Sequence, residues 1–272
     1  MATQLTPHWI TGFIEAEGCF FVSVDAHPST KSKRRIRVEF SVTQHQRDIH
    51  LLYALKTYFG CGTVSVKQNN VARWRVFGIC QLLDKVLPHF DRYPFKGKRL
   101  VECERFKEIC TLMTRQVHLT HDGFEKVAGL VAQFRKVALP KTSVSLHPQW
   151  IVGFFDGEGC FSASITQKGF LKCSVSVKQH ALDIALLNSL KVYLKCGSVC
   201  LDKNTNVAIW IVTGMEQLRT AILPFFESHS LKGKRKVEFV RFRRLCLATK
   251  RMNLLNIEEK AQLKKDQTTK VV

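Results

Sequence analysis

The ten residues WITGFIEAEG (9–18) return as WIVGFFDGEG (150–159), so that Trp9, Gly12, Phe13, Glu17 and Gly18 recur as Trp150, Gly153, Phe154, Glu158 and Gly159, with Asp156 in place of Glu15. The likeness runs far past the motif. Cys19-Phe20 returns as Cys160-Phe161, Asp48-Ile49 as Asp183-Ile184, Cys61-Gly62 as Cys196-Gly197, Trp74 as Trp210, and Lys96-Gly97-Lys98-Arg99 as Lys232-Gly233-Lys234-Arg235. One short insertion in the first copy, between Ser23 and Gln44, reconciles the spacings. A repeat at domain spacing decides architecture before any local reading: the chain is a tandem duplication, and a site built on the motif is paired. The expected division is a first domain over 1–137, a linker over 138–146 with proline, serine and threonine but no periodicity, and a second domain over 147–272.

Charge narrows the partner. Forty-two lysines and arginines stand against 22 acidic residues, a net charge of +20. Such a surplus suits a polyanion, nucleic acid first, far better than a small neutral substrate. A basic membrane-surface protein is the rival, but no long apolar span and no strongly basic amphipathic helix is present, so no membrane partner is expected. The start, MATQLTPHW, lacks the charged and apolar segments of a signal peptide. The ten cysteines include no CxxC pair and several recur at equivalent positions, which reads as reduced, small, buried residues of an intracellular protein.

Each copy reads as helix, strand, strand, helix, strand, strand, helix, helix. Thr6-Pro7 and His147-Pro148 mark the starts of the motif helices, and Gly18 and Gly159 fall where a helix takes a left-handed terminating residue. In RRIRVEFSVTQ, Ile36, Val38, Phe40 and Val42 share one face, with Arg35, Arg37, Glu39, Ser41 and Thr43 on the other. LKCSVSVKQ repeats this with Leu171, Cys173, Val175 and Val177 inward and Lys172, Ser174, Ser176 and Lys178 outward. The segments DIHLLYALKTYF and DIALLNSLKVYL have helical spacing and an aspartate at the cap, and are expected to cover the inner face. Trp74 and Trp210 alternate with apolar neighbours and are expected in the cores.

Gly12 and Gly153 each cost a helix about 1 kcal/mol relative to alanine. That cost is intelligible if the two motif helices pack closely through them, surrounded by Ile10, Phe13, Ile14, Ile151, Phe154 and Phe155. Glu17 and Glu158 then meet at the helix C-termini, where unpaired carbonyls already present partial negative charge. Carboxylates and carbonyls together form an oxygen-rich site for a hard divalent cation such as Mg²⁺.

ITGFIEAEG and IVGFFDGEG resemble the paired motifs of single-chain LAGLIDADG homing endonucleases, and the resemblance covers nearly the whole chain. It implies an α+β monomer of two pseudo-twofold-related αββαββα domains, motif helices at their interface, forming a saddle whose sheets lie in the major groove of double-stranded DNA. It implies, further, that Glu17 and Glu158 bind Mg²⁺ (Mn²⁺ or Ca²⁺ substituting), with the carbonyls of Ala16 and Gly157 as added ligands, and that Gln44, Gln179, Lys96 and Lys232 complete the catalytic pockets. Cleavage of both strands with 3′ overhangs is the implied activity, and an intron-encoded, organellar origin is typical. Sequence-reading residues are expected on the outward strand faces: Arg35, Arg37, Ser41, Thr43, Lys67, Arg73 and Arg75, then Lys172, Ser174, Ser176 and Lys178. Copy two has Ile209 and Ile211 where copy one has Arg73 and Arg75, which implies a long asymmetric target. Two readings of the same fold stay open: an intron maturase binding RNA, and a silent DNA-binding regulator, although retention of both acids and both lysines speaks against the second.

Overall fold

The computed structural model describes residues 5–28, 33–67, 69–136, 144–165 and 171–248. By internal contacts the chain divides into two compact units, residues 1–157 and 158–272. The expected linker lies largely outside the described residues. Both units are α+β, each built on a four-stranded antiparallel sheet.

The first unit begins with α1 (Pro7–Glu17), which Thr6 caps by accepting from the Trp9 amide at 3.4 Å. The chain then passes straight into β1 (Gly18–Ala26). Here Gly18 departs from the expected left-handed terminus: its φ is −71° and ψ 155°, already strand geometry. The glycine is needed for space, because a Cβ would lie 2.5 Å from the Ile14 side chain and 2.6 Å from its carbonyl oxygen. After β2 (Arg34–His45) comes α2 (Ile49–Phe59), then β3 (Thr63–Lys67) and β4 (Val71–Val76). The sheet order is β1-β2-β4-β3.

Asp48 stands at the N-cap of α2 as expected, yet its side chain makes no capping hydrogen bond. The preceding turn is capped instead by His45, whose Nδ1 accepts from the Arg47 amide at 3.1 Å, and His180 does the same for Leu182 in the second unit. The repeated Cys-Gly and Trp also acquire a reason. Trp74 is fully buried and donates from Nε1 to the Cys61 carbonyl at 3.0 Å, while Gly62, at φ +81°, has no room for a Cβ beside that indole.

Two short helices, α3 (Ile79–Gln81) and α4 (Leu87–Arg92), flank a π-helical turn over Leu82–Val86. The turn sits where Pro88 removes a helix amide and crowds the carbonyl four residues earlier. Then follow α5 (Arg99–Thr114) and α6 (His121–Gln133). Phe20 and Phe40 of the sheet pack with Phe90, Phe95 and Phe106 into one aromatic cluster, the centre of this unit's core.

The second motif helix, α7 (Pro148–Glu158), belongs to the first unit up to Gly157. Its contact with α1 is as close as the two glycines require: a Cβ on Gly12 would lie 1.9 Å from the Trp150 carbonyl oxygen, and one on Gly153 2.0 Å from that of Trp9. Ile10, Phe13, Ile14, Ile151, Phe154 and Phe155 are all buried.

The second unit repeats the plan with β5 (Cys160–Ile165), β6 (Leu171–His180), α8 (Ile184–Leu194), β7 (Ser198–Asp202) and β8 (Val207–Val212), in the order β5-β6-β8-β7. Helices α9 (Met215–Gln217) and α10 (Leu223–Ser228) again flank a π turn, Leu218–Ile222, ahead of Pro224, and α11 (Lys234–Ala248) packs on β5. Phe161, Phe226, Phe239 and Phe242 form its core, and Trp210 donates to the Cys196 carbonyl at 3.2 Å. All ten cysteines are free thiols, but the expectation that they are buried holds for six: Cys80, Cys160 and Cys200 are exposed and Cys19 is intermediate.

Candidate nucleic-acid interface and acidic motif ends

Strand register decides which side chains share the outer sheet face. Cys19, Ser41 and Arg75 stand opposite one another, as do Thr43, Arg73 and Ser65, and His45, Val71 and Lys67. Toward the other end Arg37 pairs with Ser23, and Arg35 with Asp25. All seven outward candidates of the first copy therefore lie on one surface. Arg35, Arg37, Thr43 and Lys67 are exposed.

This face is a connected polar layer. Arg73 lies across it, 3.0 Å from Glu39 Oε1 and donating to Ser41 Oγ at 2.8 Å. Under that guanidinium Ser41 is 0% exposed and Glu39 6%, so neither has the openness that alternation suggested. Arg37 pairs with Asp25 at 3.4 Å and stacks over Phe21, 4.8 Å from the ring centre; Arg75 stacks over Phe77 at 5.1 Å. Aromatic stacking and ion pairing hold guanidinium planes in fixed orientations at little further entropic cost on binding. The sequence pattern put the arginines and Glu39 on this face but did not pair them with Phe21, Asp25 or one another, because those contacts depend on cross-strand register.

In the second unit Ser176 stands opposite Cys160 and Ile211, Lys178 opposite Ile209, Ser174 opposite Ser162, and Lys172 opposite Ser164. Lys172 and Lys178 are exposed, and Ser174 and Ser176 are half-buried. Ile209 and Ile211 make the middle of this face apolar where the first unit carries arginine, so the two faces differ in chemistry as well as in sequence.

Glu17 is the last residue of α1 and Glu158 the last of α7, and both are half-buried. Gln44 and Gln179 fall near the ends of β2 and β6, on the inner-face register of their sheets, paired with Ala72 and Ala208. Among the described residues no group of three or more His, Cys, Asp or Glu side chains forms a ready-made metal cage.

The other motif acid, Glu15, has a different use. It is 5% exposed, and its two carboxylate oxygens accept from the backbone amides of Lys96 at 2.6 Å and Gly97 at 3.2 Å. Two residues on, Arg99 reaches back, its Nε donating to the Glu15 carbonyl at 2.6 Å and an Nη to that of Ala16 at 3.4 Å. These contacts satisfy carbonyls that a helix C-terminus leaves open and put positive charge at the negative end of its dipole. The Ala16 carbonyl, a candidate metal ligand, thus already has a donor. Arg99 itself is steadied by Glu102 at 3.5 Å, and in the second unit Arg235 pairs with Glu238 at 2.6 Å.

Lys96 makes no ion pair among the described residues. It lines a cavity of about 300 Å³ with His8, Thr11, Tyr93, His147 and Trp150. The rings of His8 and His147 stack there at 3.8 Å, and burial first, then the charge of Lys96, lowers the pKa of His8. Behind the cavity His89 is hydrogen-bonded on both nitrogens, Nε2 to Thr11 Oγ1 at 3.0 Å and Nδ1 to Tyr58 Oη at 3.1 Å. Thr11 Oγ1 also lies 3.0 Å from the Tyr93 carbonyl and 3.4 Å from that of Pro7, so its single proton is shared among three acceptors. Burial, with a smaller contribution from His8, takes the His89 pKa down to about 4.

The indoles of the two motif tryptophans differ. Trp9 donates from Nε1 to Asp156 at 2.8 Å, whereas the equivalent indole nitrogen of Trp150 is buried without a hydrogen-bond partner.

The family model described as LAGLIDADG endonuclease matches residues 10–110 and 151–246. The probable intron-encoded endonuclease 2 of Neurospora crassa is 28% identical, over 90% of this chain and 61% of its own length, so the chain spans about three-fifths of that relative. Among solved structures, I-SmaMI bound to uncleaved DNA target in the presence of calcium ions superposes with a TM-score of 0.87 at 28% identity, covering 96% of this chain and 97% of that one. The I-SmaMI LAGLIDADG homing endonuclease bound to cleaved DNA gives 0.85 at 28% identity, covering 97% and 96%.

Proposed function

Because the chain belongs to the LAGLIDADG endonuclease family, we propose that it is a site-specific endonuclease that hydrolyses one phosphodiester in each strand of a long, asymmetric double-stranded DNA target, with a divalent metal ion and 3′ overhangs. The observation that carries the reading is that each copy combines a half-buried glutamate at the end of its motif helix with an outward sheet face that carries exposed cationic side chains. The full-length structural likeness to an enzyme solved on uncleaved and on cleaved DNA supports it.

The donor chemistry fits Mg²⁺. Glu17 and Glu158 offer hard carboxylate oxygens and no soft ligand, and Mg²⁺ is commonly held by one or two carboxylates with substrate phosphate and water completing the shell. When bound, the ion supplies charge to polarise the scissile phosphate and to lower the pKa of attacking water. Lys96 and Lys232 then add positive charge at the phosphate. Gln44 and Gln179, near the strand ends, orient water by hydrogen bonding. Arg35, Arg37, Thr43, Lys67 and Arg75, with Lys172, Ser174, Ser176 and Lys178, contact bases and phosphates. Arg73 enters by exchanging Glu39 and Ser41 for DNA. The apolar pair Ile209 and Ile211 suits thymine methyls, so the two half-sites differ. An intron-encoded origin follows the relatives' names.

Selection of cleaved molecules from a randomised duplex library with Mg²⁺, beside Glu17→Gln and Glu158→Gln, tests this. The expected result is one long asymmetric site, cut on both strands by the parent, each variant losing cleavage while still binding. Binding without cleavage in Mg²⁺ or Mn²⁺ would instead favour a silent DNA-binding protein or an RNA-directed maturase.

A further inference from the structure

The two motif acids of the first copy stand one residue apart and face different tasks. Glu17 ends α1, while Glu15 is turned into the protein against a loop 81 residues away in sequence. That loop, Lys96-Gly97-Lys98-Arg99, contributes Lys96 to the catalytic set proposed above.

We propose that Glu15 is a positioning residue: by accepting from the Lys96 and Gly97 amides, it fixes the loop that carries Lys96 to the helix that ends in Glu17. The inference rests on the endonuclease reading. Two features support it. A buried carboxylate accepting two backbone N–H bonds is a strong, directional anchor, since charge-assisted bonds are roughly twice as strong as neutral ones. The loop is fastened at a second point, where Arg99 donates to the carbonyls of Glu15 and Ala16, so the segment from 96 to 99 is held on both sides of Lys98.

A lysine acting on a developing phosphate charge must be placed to a fraction of an ångström, and misplacement of about 1 Å can cost on the order of a hundredfold in rate. Glu15→Gln keeps the shape but sets an amide NH₂ against one of the two loop amides, so one anchor bond becomes a repulsion. Glu15→Asp keeps both acceptors on the shorter stem that Asp156 uses in the second copy.

The test is single-turnover cleavage of the selected target by the parent, E15Q, E15D, K96M and E15Q/K96M, with DNA affinity measured in Ca²⁺ and amide hydrogen exchange followed at Lys96 and Gly97. E15Q is expected to cut about ten- to a hundredfold more slowly at nearly unchanged DNA affinity, with faster exchange confined to the loop. E15D recovers most of the rate, and E15Q adds no further loss to K96M. Cleavage by E15Q at the parental rate, equal fractional losses with and without Lys96, or unchanged exchange at 96 and 97 would each overturn the proposal while leaving the endonuclease reading intact. Should E15Q fail to fold, E15D carries the test: slow exchange and a near-parental rate support the anchor, and a rate lost with exchange unchanged overturns it. A parent that cuts no DNA overturns the endonuclease reading, and the role of Glu15 in cleavage falls with it.

Discussion

Gly12 and Trp150 face each other so closely that a single added Cβ would sit 1.9 Å from the tryptophan's carbonyl oxygen. Backbone cannot yield as the tip of a side chain can, so Gly12→Ala must push the two motif helices apart. A loss of about 3 kcal/mol is expected, read as a lower urea midpoint. Gly129→Ala is the control: it sits in α6 with nothing within 4 Å of the added carbon and should stabilise by about 0.5–1 kcal/mol. Equal effects of the two substitutions would remove the close-packing explanation for the motif glycine.

His89 makes stability depend on pH. Its pKa falls from 6.5 to about 4 on folding, so the unfolded chain binds the proton more readily. No penalty exists well above pH 6.5. As pH drops below 6.5 the native state loses stability, and the loss levels off near pH 4 at about 3 kcal/mol. His8, lowered by burial and Lys96, adds in the same direction. Denaturant unfolding of the parent and of His89→Gln at pH 7.5 and pH 4.5 should show a smaller pH-dependent loss in the variant. A difference unchanged by the substitution would mean that other groups carry the dependence.

The duplication, the α+β class, the sheet alternation and the helix pairing through Gly12 and Gly153 were all legible, because each follows from a period or a repeat. What escaped was set by partners distant in sequence. Nothing in EAEG says that Glu15 accepts amides at 96 and 97, and strand alternation says which face Ser41 takes without saying that Arg73 lies over it. Gly18 was misread because a glycine after a helix usually serves a left-handed turn, whereas here it makes room beside Ile14. The π turns before Pro88 and Pro224 had a visible signal, the same proline at the same place in both copies.

Thiol chemistry should separate by location. Burial pushes the Cys110 thiol up to about 12 and that of Cys196 up to about 11, and it raises Cys103 as well. Alkylation by iodoacetamide at pH 8 needs thiolate and access together, so Cys80, Cys160 and Cys200 are expected to label first in the native protein. Peptide mass spectrometry after a short exposure checks this, and early labelling of Cys110 would contradict the buried assignment.

Glu39 sets how much of Arg73 is available to a polyanion. The carboxylate lies 3.0 Å from the guanidinium and is almost fully buried beneath it, so in the free protein one positive charge of the outer face is neutralised locally. Under the endonuclease reading, Glu39→Ala releases that charge and removes an acid from the DNA face. The measurement is target affinity against salt concentration. One phosphate contact is worth about 0.9 in the slope of log K against log [salt], so loss of the opposing acid is expected to raise affinity and to steepen the slope by no more than that. Arg73→Ala, which leaves Glu39 without its cation, should instead flatten the slope and lower stability by about 1–3 kcal/mol through the exposed desolvation debt of the carboxylate. Identical slopes for the parent and both variants would place Arg73 outside the DNA contact and leave it a purely internal partner of Glu39 and Ser41.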